Sequence, residues 1–414
     1  MNRMKPSNTS SACSVASSIW AAMLALTGCG GPGATHFQYA PSVKPIHGEA
    51  PSSQKYRVLY SFQTAPDGDA PQAGLTDVNG TLFGTTEFGG AYDGGGTVFS
   101  ITTSGSEKVL HSFGNGTDGI SPLAPLIAVK GTLYGTTEGA GAYTCFGRSV
   151  GCGTVFSITK DGTEKVLHSF SKGTDGAYPY AGLIDVHGTL FGTTAGGGAY
   201  GDGGTFFSIT TDGTEAVLHS FGGGTDGTYP AAALIDVNGK LLSTTQNGGA
   251  FGMGTVFSVT TAGDEKVLHS FGKGKDGASP VSGLIDVRGT LYGTSAAGGT
   301  YGKGTIFRMS LSGEEKVIHN FGKGTDGASP EAGLVSAKGA LYGATAAGGA
   351  YGKGTVFRVR LSGKEKILHS FGYASDGISP DGSLIDVNGT LFGTTYGGGT
   401  NGQYGYGVVF MLNP

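Results

Sequence analysis

Residues 182–194 read GLIDVHGTLFGTT, and residues 204–221 read GTFFSITTDGTEAVLHSF. Apolar and polar residues alternate on either side of two turn dipeptides, His187-Gly188 and Asp212-Gly213. Alternation with a period of two is the mark of a strand, and a two-residue turn ending in Gly joins strands as a tight hairpin. The stretch therefore predicts four strands: a from Leu183 to Val186, b from Thr189 to Thr194, c from Gly204 to Thr210 and d from Glu215 to Phe221.

This unit recurs. The GTLYGTT-like segment begins at Gly80, Gly131, Gly188, Gly289 and Gly389, and in altered form at Gly239 (GKLLSTT) and Gly339 (GALYGAT). The GTVFSI-like segment begins at Gly96, Gly153, Gly204, Gly254, Gly304 and Gly354, with a seventh version at Gly407. The VLHSF-like block ends at Phe113, Phe170, Phe221, Phe271, Phe321 and Phe371, and its first counterpart is Val58-Leu-Tyr-Ser-Phe62. No helical period appears, so the class is all-β. Seven repeats of about fifty residues and four strands predict a seven-bladed β-propeller. The repeats open on strand d and close on strand c, which predicts that Arg57–Phe62 pairs with Val408–Leu412 to seal the ring. An open stack would instead need capping repeats.

The seven copies also carry a resemblance. The pattern GTLYGTT…GGAYGxGTVFSIT…EKVLHSFGxGTDGxxPxAGLIDVNG, over residues 56 to 413, resembles the bacterial GloVer (Gloeo/Verruco) tandem-repeat, choice-of-anchor surface proteins. That likeness implies a propeller-like fold and a place at the cell surface, and no particular activity.

Composition bounds the partners. Among 414 residues, Lys+Arg number 26 against Asp+Glu 30, a formal net charge of −4 with no basic stripe, so nucleic acid is not expected as a partner. Residues 1–28 read as a signal peptide: Arg3 and Lys5 precede an apolar run from Val15 to Leu26, too short for a convincing span. Leu26-Thr-Gly-Cys29 resembles the lipobox of bacterial lipoproteins, with Cys29 as the lipidated residue. The plainer alternative is a cleaved signal, a secreted protein and an incidental cysteine. With no segment after Pro414, Cys29 is expected to supply the anchor, in the outer membrane if the host is Gram-negative. Residues 29–54, rich in Gly, Pro, Ala and Ser, read as a flexible tether, and residues 55–414 as the propeller, expected as a monomer. Cys145 and Cys152, seven apart in an insertion without His or acidic residues, read as a disulfide rather than a metal site.

Tight a–b and c–d hairpins should occupy one face, and the longer b–c loops and d–a crossings the other, where binding residues concentrate. The b–c aromatics Tyr92, Tyr143, Tyr200, Phe251, Tyr301 and Tyr351, with Tyr404 or Tyr406 as the seventh, could stack on sugars, with packing between blades the favoured role. Recurrent His111, His168, His219, His269, His319 and His369 on outer strands read as structural, too far apart to share one ion. The recurrent turn aspartates read as turn-fixing, and Asp67-Gly-Asp69 is too sparse for calcium.

Positions that break the repeat are the better candidates. After strand b stand Glu87, Glu138, Ala195, Gln246, Ala296, Ala346 and Tyr396, and Arg148 stands in the insertion. Glu87 and Glu138 on adjacent blades could form an acid/base pair, though exposed, solvated glutamates are the plainer reading. No nucleophile elbow, metal-ligand cluster or phosphate loop appears, so no cofactor is expected. The expected function is a non-catalytic module binding a glycan, a peptide or an envelope partner. A polysaccharide hydrolase or lyase using Glu87 and Glu138, or a purely structural spacer, are the alternatives. The anchor is testable at once: Cys29→Ser should move the protein from the membrane to the soluble fraction of fractionated cells, and retention would refute the lipobox.

Overall fold

A computed structural model of the chain describes residues 56–92, 94–145, 151–171, 173–400 and 405–414. The signal segment, the tether with Cys29, Arg148 and Tyr404 lie outside the described residues. The described residues form seven four-stranded antiparallel sheets and no helix.

In the third blade, a is Ile184–Val186, b Thr189–Thr194, c Thr205–Thr210 and d Glu215–Ser220, hydrogen-bonded in that order and each within a residue of expectation. The a–b turns carry positive φ at both central residues, from 48° to 57° and then from 73° to 90° at the glycine, the type I′ geometry whose twist matches the strands. Strand a of one blade touches strand a of the next (Thr76–Val78 against Ile127–Val129, for example), which places it innermost and strand d outermost.

Ring closure follows the predicted phase. Tyr56–Ser61 is strand d of the last blade and pairs with Val408–Leu412, Tyr56 opposite Leu412 and Ser61 opposite Val408. The core lies between blades. Phe62, Phe113, Phe170, Phe221, Phe271, Phe321 and Phe371 meet the strand-c phenylalanine of the following blade, Phe99, Phe156, Phe207, Phe257, Phe307, Phe357 and Phe410. The ring centroids are 5.0–5.3 Å apart and steeply inclined, the edge-to-face arrangement that aromatic quadrupoles favour.

Each pairing of strands c and d also carries a bulge, at the leucine before the histidine in most blades, at Ile318 in one and at Leu59 before Tyr60 in the closing strand. In the first blade Val109 lies opposite Phe99 but His111 lies opposite Val98, so Leu110 is extra. The bulge reverses side-chain parity along strand d. Glu107 and Val109 face the preceding blade, whereas His111 and Phe113 face the following one. A second constraint sits at the c–d turn: a Cβ on Gly105, where φ is 103°, would come within 2.7 Å of the Leu59 carbonyl of the preceding strand d. Only glycine meets both demands.

The Phe contacts should dominate stability. Phe62→Ala and Phe410→Ala, both in fully buried rings, should each cost about 3–5 kcal/mol in urea unfolding. Exposed Arg57→Ala on the same closing strand should stay within about 0.5 kcal/mol.

Candidate functional site

The loop face is built by pairing each d–a crossing with the start of the same blade's b–c loop. Gly68-Asp69 pairs with Phe88-Gly89, Gly227-Thr228 with Asn247-Gly248, and single bridges such as Ile120 to Gly139 occupy the same place elsewhere. This pairing brings the residue after strand b beside the crossing residues that precede strand a. The symmetry-breaking residues therefore collect around the inner mouth of the ring.

Glu87 is buried there, 6 % exposed, and accepts a hydrogen bond from the Gln72 side-chain amide. The expectation of an exposed, solvated glutamate fails because the crossing of its own blade folds over it. Burial pushes the Glu87 carboxyl up to about 7; the Glu138 charge adds to this, the Gln72 amide opposes it and Asp69 adds a smaller push. Glu138 is half-buried and accepts a hydrogen bond from Tyr180 Oη at 2.7 Å. Its carboxyl is also raised, chiefly by burial, with the Tyr180 bond opposing. The Glu138 charge thus reaches Glu87, and the two carboxyls lie in unlike environments.

Two further groups extend the cluster. Tyr180 stacks between Tyr178 and Tyr229, with centroids at 6.5 and 6.1 Å. Asp381 and Glu331 occupy the position of Gln72 and Tyr180 on other blades. Asp381 is raised well above the usual carboxylate range by burial and the Glu331 charge, and its Oδ1 is buried without a hydrogen-bond partner. Burial alone raises Glu331 to about 7. Tyr396, 41 % exposed, is raised by burial and then by Glu87, Asp69 and Asp381 in turn, which bridges the two halves of the arc. Among the described residues, the charges that shift these carboxyls are other carboxyls, and no Lys or Arg acts on them.

The backbone marks the same place. The residue before the crossing proline has positive φ in all seven repeats, and it is Ala70, Ser121, Ser279, Ser329 or Ser379 in five of them. Tyr178 and Tyr229 adopt it at 59° and 66°. A bulky side chain there is strained, and such strain concentrates at functional sites.

The other expected residues lie apart from the mouth. Tyr92, Tyr143, Tyr200, Phe251, Tyr301 and Tyr351 are 45–63 % exposed over the outer loops, so the favoured packing role is replaced by an exposed outer ring. Gln246 is half-buried after strand b of the fourth blade. Cys145 and Cys152 form the expected disulfide, and both are fully buried. Five of the six histidines hydrogen-bond the turn aspartates, as in His111 Nε2 to Asp118 at 3.1 Å, whereas His319 Nε2 lies 3.3 Å from Asp326 without a hydrogen bond.

The Gloeobacter/Verrucomicrobia repeat family matches residues 46–250 and again 232–414. The chain belongs to that family. No curated protein matches it. Similar solved structures include a putative 6-phosphogluconolactonase of Bacteroides uniformis, 14 % identical over 72 % of this chain and 84 % of that one, TM-score 0.47. A europium-containing methanol dehydrogenase is 11 % identical over 86 % and 93 %, TM-score 0.48. The phage phi92 endosialidase is 11 % identical over 85 % and 68 %, TM-score 0.43. None of these likenesses bears on function.

In this Gloeobacter/Verrucomicrobia repeat chain, sequence reasoning found Glu87, Glu138 and Tyr396 but missed Gln72, Tyr178, Tyr180, Tyr229, Glu331 and Asp381. The signal was present in the crossing x-P-x-A-G-L, where the residue after proline differs in all seven repeats and the residue before it is tyrosine in two.

The raised carboxyls have a pH consequence. Glu331 ionises near 4.5 in an unfolded chain and near 7 in the fold, so between these values the folded state holds a proton that the unfolded state has lost. Its contribution is fully present below about 4.5 and is lost as pH rises through about 7. Glu331→Gln should therefore reduce the fall in Tm between pH 5 and pH 8, measured by circular dichroism against wild type.

Proposed function

We propose that the protein is a non-catalytic binding module that holds a neutral glycan at the inner mouth of its loop face. The observation that carries this reading is the stack of Tyr178, Tyr180 and Tyr229 beside the Glu138 carboxyl, on a scaffold otherwise close to seven-fold regular. Tyrosine rings cover the apolar faces of sugars, and carboxyl and phenol oxygens accept and donate to hydroxyls. Partly protonated carboxyls suit a neutral ligand better than an anionic one, which their charge would repel. Localisation at the cell envelope, through a lipid on Cys29, completes the proposal and rests on the leader sequence alone.

A second reading has a specific observation behind it. A carboxyl raised to about 7 beside one held by a tyrosine is the pairing of acid and base that glycoside hydrolysis uses. In that case Glu87 would protonate the leaving oxygen and Glu138 would serve as base or nucleophile.

Two measurements separate these readings. Glycan-array screening followed by calorimetry should find a neutral oligosaccharide whose affinity falls about tenfold with Tyr180→Ala, from lost stacking and one lost hydrogen bond. Tyr143→Ala on the outer ring should change it less than twofold. No reducing ends should appear on prolonged incubation; their release, abolished by Glu87→Gln, would favour the hydrolase.

A further inference from the structure

The outer ends of the blade junctions hold a second set of convergent groups. Because the bulge turns the histidine of one strand d forwards and leaves the glutamate of the next strand d facing back, each junction away from the closing strand collects a His and an Asp from one repeat and a Glu from the following one. At two junctions, His168, Asp175 and Glu215, and His219, Asp226 and Glu265, one ligand atom from each residue lies within 4.8 Å of the others.

We propose that these two junctions are binding sites for a divalent first-row transition metal ion such as Zn2+, bound by one imidazole and two carboxylates. The spacing fits. Ligand atoms held at about 2.0–2.2 Å from one ion lie about 3–3.5 Å apart at tetrahedral or octahedral angles. His168 Nε2 is 3.3 Å from Asp175 Oδ1, and His219 Nε2 is 3.2 Å from Asp226 Oδ2. Glu215 and Glu265, each with an oxygen within 4.8 Å of the other two ligand atoms, would close each set by a small inward movement. Their Oε1 atoms are buried without any hydrogen-bond partner, as are those of the equivalent Glu107, Glu164, Glu315 and Glu365, and at these two junctions the neighbouring ligand atoms are close enough for an ion to relieve that costly state.

The aspartates are already oriented, as ligands usually are by outer contacts. Asp175 Oδ2 accepts from the Ser171 N–H at 2.7 Å and from Ser171 Oγ at 3.1 Å, and Asp226 Oδ1 accepts from the Gly222 N–H at 2.9 Å. A route also exists at the first site: a cavity of about 360 Å³ is lined by Tyr143, His168, Ser171 and Asp175. The two junctions flanking the closing strand lack a ligand each. Tyr60 stands in place of histidine beside Asp67, and Tyr56 stands in place of glutamate, stacked on His369. The loss of one ligand type at each end of that strand makes a built-in contrast.

The test is calorimetric titration of the chelator-treated full chain with Zn2+. The double variant Glu215→Gln/Glu265→Gln should bind two fewer ions per chain than wild type and lose the Zn2+-induced rise in Tm of several degrees. An unchanged stoichiometry in the folded double variant, or no Zn2+ binding by wild type at 100 times the protein concentration, would overturn the proposal. Should the variant not fold, Co2+ added to the unaltered protein should broaden the ring signals of His168 and His219 before those of His369 in NMR spectra. Equal broadening of all histidines, or none, would overturn it too.

Discussion

The structure depends on one contact made seven times: the edge of a strand-d phenylalanine against the strand-c phenylalanine of the next blade. A four-stranded sheet with apolar residues on both faces has no stable surface in water, and each face is covered only by a neighbour of the same kind. Such an arrangement must either end in capping repeats or close on itself. The closing sheet, shared between Tyr56–Ser61 and Val408–Leu412, gives the last blade the same Phe371 to Phe410 contact as the others.

The strand-d bulge gives this frame its chemistry. Without it, Glu107, Val109 and His111 would lie on one face; with it, the glutamate and the histidine serve opposite junctions, and polar groups meet at the rim between every pair of blades. At the inner end the backbone is just as regular, but the side chains are not. The crossing residues run Gln72, Leu123, Tyr180, Ala231, Val281, Glu331 and Asp381, so the mouth is acidic and aromatic along one arc and apolar elsewhere. Repeat architecture supplies the rigid positions and sequence divergence supplies the site.

Fold and site differed in how far they could be read from sequence. Turn dipeptides such as Asn79-Gly80, strict alternation and the phase of the repeat specify strands, hairpins and ring closure locally, and the structure agrees to within a residue. The bulge was not legible, because EKVLHS alternates well enough to pass as a regular strand and the shift appears only against its partner. Glu87 looked exposed because it follows a strand end. Its burial depends on a crossing some fifteen residues earlier folding back over it, which no local pattern encodes. The outer aromatics looked like packing residues for the converse reason: glycine-rich loops do not fix which way a tyrosine points. Tyr178 and Tyr229 escape a reading of the column after strand b because they stand before the crossing proline, where serine is the usual residue.

We propose that the irregular inner mouth, rather than the regular rim or the exposed outer ring, takes the glycan. Amide hydrogen exchange of the full chain with and without a bound neutral oligosaccharide tests this most directly. Protection should be confined to peptides covering residues 69–73, 87–89, 138–140, 178–181 and 229–231. Protection concentrated instead on the outer loops around Tyr200, Phe251 and Tyr301, with none at these crossings, would contradict it.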